Sequence, residues 1–109
     1  MAVALGTGMV NVDIIAFRAK DNGIINDLWS TGYYNPTFDD SDDLINKEVT
    51  LKNGKFDMRV FRSFDTGDGA RDRLLESAMS YTFSWAASTT SADLGAHKRP
   101  NGGYGRFLF

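Results

Sequence analysis

The feature that most constrains this chain is the spacing of its short apolar stretches, which are broken by turn residues and show little sustained helical periodicity. Ala2 to Leu5 stops at Gly6-Thr7-Gly8. Val12 to Phe17 comes next, and its Ile14, Ile15 and Ala16 form a near-continuous apolar run suited to a buried strand. Asp21-Asn22-Gly23 marks a turn, because Asn and Gly tolerate positive φ. Ile24 to Trp29 predicts a further strand. The polar stretch Ser30 to Asp43 predicts a long loop, since its Asn35-Pro36 step and acidic run do not suit a central strand. The pattern is sharpest around Asn53-Gly54. A two-residue turn there sets Lys52 opposite Lys55, Leu51 opposite Phe56 and Val49 opposite Met58. The apolar pairs then share one face, while Thr50 and Asp57 take the other.

Asp65-Thr66-Gly67-Asp68-Gly69 predicts another turn, and Ala70 to Met79 a short helix with Leu74, Leu75, Ala78 and Met79 on one face. Tyr81 to Ala86 alternates aromatic and small residues and predicts a strand. Ser88 to Asp93 is a polar loop, Asn101-Gly102-Gly103 a flexible turn, and Arg106 to Phe109 a last strand. No internal repeat is present. About six or seven short strands with regular turns predict an all-β protein, an antiparallel β-sandwich of immunoglobulin-like two-sheet architecture. The 109 residues suffice for one domain, 1–109, with one core.

Composition narrows the function classes. With 12 basic against 14 acidic residues and no concentrated positive face, a nucleic-acid interface is not expected. No apolar run approaches a membrane span. The absence of cysteine excludes disulfides, thiolate metal sites and cysteine nucleophiles. Gly6-Thr7-Gly8 lacks the third glycine or Lys-Ser/Thr of a phosphate loop and reads as a strand-end turn. The run Asp39, Asp40, Asp42, Asp43 does not fit an EF-hand and has no following bidentate Glu, so it reads as a solvated acidic loop. Asp65, Asp68 and Asp72 read the same way, with Arg62 and Arg71 close enough to neutralise them. A hydrolase elbow of the form Gly-x-Ser-x-Gly is missing, one histidine does not make a zinc site, and nothing singles out a pair of catalytic carboxylates. Met9, just after a glycine turn, and His97, after Leu94-Gly95-Ala96, remain as candidate metal ligands, because a Met/His pair can hold haem iron. Each also has an ordinary reading: Met as core gap-filler, His as a structural group.

Five segments, in order, resemble the DOMON family, a haem- and ligand-binding sandwich related to the cytochrome domain of cellobiose dehydrogenase. They are Met1 to Ile15 with its glycine turn, Met9 and Asp13; Asp27-Leu-Trp-Ser-Thr-Gly-Tyr-Tyr-Asn-Pro36; Phe61-Arg-Ser-Phe-Asp-Thr-Gly-Asp-Gly-Ala-Arg-Asp72; Phe83-Ser-Trp-Ala86; and Leu94-Gly-Ala-His97. The third is the most specific, being similar to an Arg-x-x-Asp-Thr-Gly-Asp-x-x-x-Asp signature. The resemblance implies a b-type haem (haem b) with Met9 and His97 as axial ligands, and hence an electron carrier rather than an enzyme. Phe83, Trp85, Tyr104 and Phe107 are then expected walls of the haem slot, or ordinary sandwich core. The expected partner is a redox protein or membrane cytochrome, and the expected location is outside the cytoplasm, extracellular or lumenal. The family has further strands before the glycine turn, so the sandwich is expected to be truncated on its N-terminal side and completed by other segments or by a larger assembly. The family also speaks against the helix at Ala70 to Met79.

A haem-free module is the alternative. Relatives of this kind are thought to bind sugars, and Trp29, Tyr33 and Tyr34 would offer an aromatic platform for a glycan or a partner protein, or simply pack over one end of the sandwich. A structural accessory subunit of a larger assembly fits the same features.

Overall fold

The structure is a computed structural model that describes residues 1–18, 25–33, 35–87 and 102–108, without the side chains of Leu51 and Phe107. Among the described residues eight strands form: β1 (Ala2–Ala4), β2 (Val10–Phe17), β3 (Ile25–Thr31), β4 (Thr37–Phe38), β5 (Ile45–Lys52), β6 (Lys55–Phe61), β7 (Ser80–Ala86) and β8 (Gly102–Leu108). Six of them make one sheet in the order β4-β3-β2-β1-β7-β8, and β5 and β6 make a two-stranded sheet. All pairings are antiparallel. The expected all-β, two-sheet architecture is therefore found.

The β5–β6 hairpin takes the register expected from sequence, with Lys52 opposite Lys55, Leu51 opposite Phe56 and Val49 opposite Met58. Asn53 and Gly54 have φ of 54° and 71°, the paired positive values of a type I′ turn. The expected loop after Trp29 differs in detail: β3 runs on to Thr31, and Thr37–Phe38 pairs along its edge as β4. The Asn35-Pro36 step sits just before this edge strand, where a missing N–H costs no central ladder bond. The glycines of the expected turn at 101–103 also behave otherwise, since Gly102 and Gly103 pair with Ala86 and Trp85 as the start of β8.

The helix expected over Ala70 to Met79 is absent. Asp72 N–H bonds the Asp68 carbonyl at 2.9 Å, a single turn that does not propagate. Charged side chains from elsewhere take the backbone groups that would continue it. Arg73 N–H donates to Asp13 Oδ2 at 3.3 Å, and the Arg73 carbonyl accepts from Arg62 Nη2 at 2.8 Å. Leu75 N–H goes to the Phe64 carbonyl at 2.8 Å, and Ala78 adopts a φ of 62°. Leu75 is buried against Leu5 and Tyr81, while Leu74 and Met79, the rest of the supposed apolar face, are exposed.

Strand alternation divides the large sheet into two faces. One carries the cluster Ala4, Val12, Ile14, Ala16 and Leu28, with Ala2 packed against it. The other carries Asp13, Ile15, Phe17, Asp27 and Trp29, because Asp13 pairs with Trp29, Ile15 with Asp27, and Phe17 with Ile25. The small sheet docks on this second face: the Phe17 and Phe56 rings lie 4.5 Å apart, and Arg62, just past β6, reaches Asp13 at 2.7 Å.

Candidate functional site

Met9 lies on the connection between β1 and β2, just before a bulge at which Asn11 takes a φ of 52°. The connection is fastened from the neighbouring strand. Ser30, almost fully buried on β3, donates its hydroxyl to the Met9 carbonyl at 2.6 Å, and the same Oγ lies 2.9 Å from the Gly32 carbonyl. Ser30 pairs with Val12, so Met9 is held where the Val12–Leu28 cluster ends. The side chain is half-buried.

The other residues expected from sequence around a haem do not gather at one point. Phe83 and Trp85 share a face of β7, and each lies across a glycine of β8. A methyl group on Gly105 would stand 2.5 Å from Phe83 Cζ, and one on Gly103 would stand 2.8 Å from Trp85 Nε1. Tyr104 pairs with Ser84, which puts it on the opposite face, and it is 68% exposed. Phe107 stands opposite Tyr81 in the ladder. His97 and Tyr34 fall outside the described residues. Tyr33 projects from the end of β3 and is 82% exposed, whereas Trp29 is half-buried opposite Asp13.

A second constellation, not assigned from sequence, occupies the face that carries Asp13. Asp13 is 2% exposed and Asp27 is 5% exposed. Asp72 joins them from the segment after β6, with a side chain 4% exposed. One carboxylate oxygen from each of the three lies within 4.8 Å of the other two. Arg62, itself buried, donates to Asp13 Oδ2 at 2.7 Å and stands 3.6 Å from Asp72 Oδ2. Burial raises the Asp13 carboxyl to about 6, against the pull of Arg62 and of the Arg73 N–H. Burial raises Asp27 to about 7; the Asp43 N–H, 3.1 Å from its Oδ2, opposes this, and the charges of Asp13, Asp72 and Asp39 add to it. Asp72 is also raised, first by burial, with Thr66 and Arg62 opposing.

The acidic run is accordingly not a wholly solvated loop. Asp40 and Asp42 are exposed and paired with Arg71 and Lys47. Asp39 and Asp43 turn inward, each with a buried Oδ2 that has no hydrogen-bond partner among the described residues. Asp72 likewise belongs to a buried network, and of the two arginines expected to neutralise it, Arg62 does so while Arg71 goes to Asp40. Sequence pattern alone marks acids as exposed by default. The available signal was that Asp13, Arg62 and Asp72 all fall in the segments that carry the family resemblance.

A family model described as the DOMON domain matches residues 1–88, a span that takes in Met9, Asp13, Asp27, Arg62 and Asp72 and ends before His97. No curated protein and no solved structure matches the chain. Among the described residues no helix is long and apolar enough to cross a membrane. With most of its length under that one match and two antiparallel sheets beneath it, the chain belongs to the DOMON family.

Proposed function

We propose that this DOMON domain, a ligand-binding module, holds one b-type haem and passes electrons, with Met9 and His97 as the residues that hold the iron. The observation that carries this reading is the seating of Met9. A thioether donor is half-buried at the end of an apolar cluster, on a connection pinned by the Ser30 hydroxyl. A ligand needs that kind of positional support. His97 is within reach. β7 ends at Ala86, level with Ala2 and Ala16, while Met9 precedes Val10 at the far end of β2, about 20 Å away along the strand. The chain from Ala87 to His97 spans about 33 Å when extended.

Haem iron held by the Met9 thioether and the His97 imidazole would supply one-electron transfer. The partner on this reading is a redox protein or membrane cytochrome outside the cytoplasm. Visible spectra of haem-supplied protein, oxidised and then reduced with dithionite, test it. A sharp Soret band with split α and β bands, weakened by Met9→Ala and by His97→Ala, is expected. A featureless spectrum, or one indifferent to Met9→Ala, overturns it. The haem-free reading would then take its place, favoured by the exposure of Tyr33 on the connection between β3 and β4, where an aromatic ring is open to a glycan or partner protein.

A further inference from the structure

Buried carboxylate oxygens in folded proteins are hydrogen-bonded or ion-paired, because burying them bare costs folding free energy. Here the four buried side-chain oxygens without a hydrogen-bond partner among the described residues belong to Asp27, Asp39, Asp43 and Asp72. They come from three separate stretches of chain and act on one another electrostatically: Asp39 on Asp27 and Asp72, Asp43 on Asp72, and Asp72 on Asp27. Asp27 is the most telling. It is 95% buried, its Oδ2 accepts the Asp43 N–H, and its Oδ1 accepts no hydrogen bond among the described residues. This side chain stands in the group with Asp13 and Asp72 whose oxygens lie within 4.8 Å of one another.

Among the described residues the nearby positive charge is largely engaged elsewhere: the Arg18 guanidinium lies over the Phe38 ring and that of Arg73 over the Tyr81 ring. Lys47 pairs with Asp42, and Arg71 pairs with Asp40. Arg62 serves Asp13, Asp72 and the Arg73 carbonyl, so among the described residues one guanidinium is ion-paired within the group of three buried carboxylates. We propose that these carboxylates bind a hard divalent cation of the calcium class, with Asp13, Asp27 and Asp72 contributing the central oxygens and Asp39 and Asp43 adding negative charge around them.

The donor set is all oxygen, which excludes a preference for soft metals. Oxygens facing each other across an ion at 2.3–2.6 Å stand up to about 5 Å apart, which accommodates the observed spread. Magnesium demands shorter distances, strict octahedral geometry and several retained waters, so calcium is the better match. Such an ion would join β2, β3 and the stretch after β6, and so link the large sheet to the segment that follows the small one.

Calorimetric titration of the full chain, stripped with chelator and free of haem, tests the site with Ca²⁺ itself. A saturable one-to-one heat is expected, together with a rise in Tm in millimolar Ca²⁺ over chelator, and Tb³⁺ luminescence sensitised by Trp29, which stands opposite Asp13. Asp27→Asn keeps the shape of the side chain and removes its charge; it should lower affinity at least about tenfold while retaining the β-sheet circular dichroism. If that variant does not fold, Asp72→Asn carries the same expectation. Asp57→Asn, on the exposed side of β6, should bind as the parent does. Absence of heat and of a Tm rise in the parent overturns the site, as does equal binding by Asp27→Asn or an equal loss in Asp57→Asn. Equal affinity for Mg²⁺ overturns the calcium assignment. None of these readouts involves haem, so failure here is distinct from failure of the haem reading.

Discussion

Asp13 and Asp27 sit diagonally on neighbouring strands, since Asp13 pairs with Trp29 and Asp27 with Ile15. Both carboxyls therefore fall on the same buried face. Burial holds Asp13 near 6 and Asp27 near 7, against an ordinary value of 3.8. Between 3.8 and about 7 the folded form binds more protons than the unfolded one, so stability falls as pH rises through that interval. These groups favour folding fully below 3.8, and that contribution is lost once pH passes the folded values. In chelator, urea unfolding should give a stability at pH 8 lower than at pH 5 by on the order of 2 kcal/mol. Asp27→Asn should flatten much of that dependence, because the amide is neutral throughout. A stability that rises across the interval would show that these carboxyls are ionised without penalty. Nothing local in the sequence separates them from the exposed Asp57 or Asp65. What makes them different is the ladder register and the docking of Arg62 from 49 residues away.

At the level of elements, legibility followed the range of the forces involved. The β5–β6 hairpin could be read to the residue because turn chemistry and alternation are both local, and they select the same register. Gly54, at a φ of 71°, should lose about 1 kcal/mol of stability on Gly54→Ala, measured by thermal unfolding. The segment Ala70 to Met79 misled because its helical spacing was outbid by partners distant in sequence, Asp13 and Arg62, on the Arg73 backbone. Gly102 and Gly103 misled for the opposite reason: they read as turn, yet they open β8, in which Gly103 and Gly105 serve as floor for rings on β7. Gly105→Ala places a methyl group 2.5 Å from Phe83 Cζ, so the ring must move or the strands must part. A loss of about 1–3 kcal/mol is expected. It should shrink markedly when Phe83→Ala is already present, and a double-mutant cycle measures that coupling. Additive losses would mean that the ring does not rest on Gly105.

On the scale of the whole molecule the two sheets are unequal, and the smaller one has no independent means of support. A two-stranded hairpin is marginal in water, and Val49 on β5 and Phe61 on β6 are exposed, with Phe56 and Met58 half-buried. Among the described residues its attachment includes the approach of β5 to β3, the Phe17–Phe56 ring contact, and Arg62, which leaves the end of β6 to meet Asp13 on β2. The sequence announced a sandwich through strand count and turn spacing, and the family resemblance placed Arg62 and Asp72 in its signature. The uneven partition of strands depends on long-range pairing that no window of residues encodes. Arg62→Met keeps the apolar stem but leaves Asp13 and Asp72 buried without a counter-charge, which should cost about 3–5 kcal/mol. Its signature should be uneven across the molecule. Amides of β5 and β6 should lose protection from hydrogen exchange first, because the bolt to the large sheet is gone. Amides of β2 and β3, held by their own ladder and by the Val12–Leu28 cluster, should lose less. Uniform loss across both sheets would instead mean that the two-stranded sheet and the six-stranded sheet unfold as one unit, with Arg62 stabilising that unit as a whole.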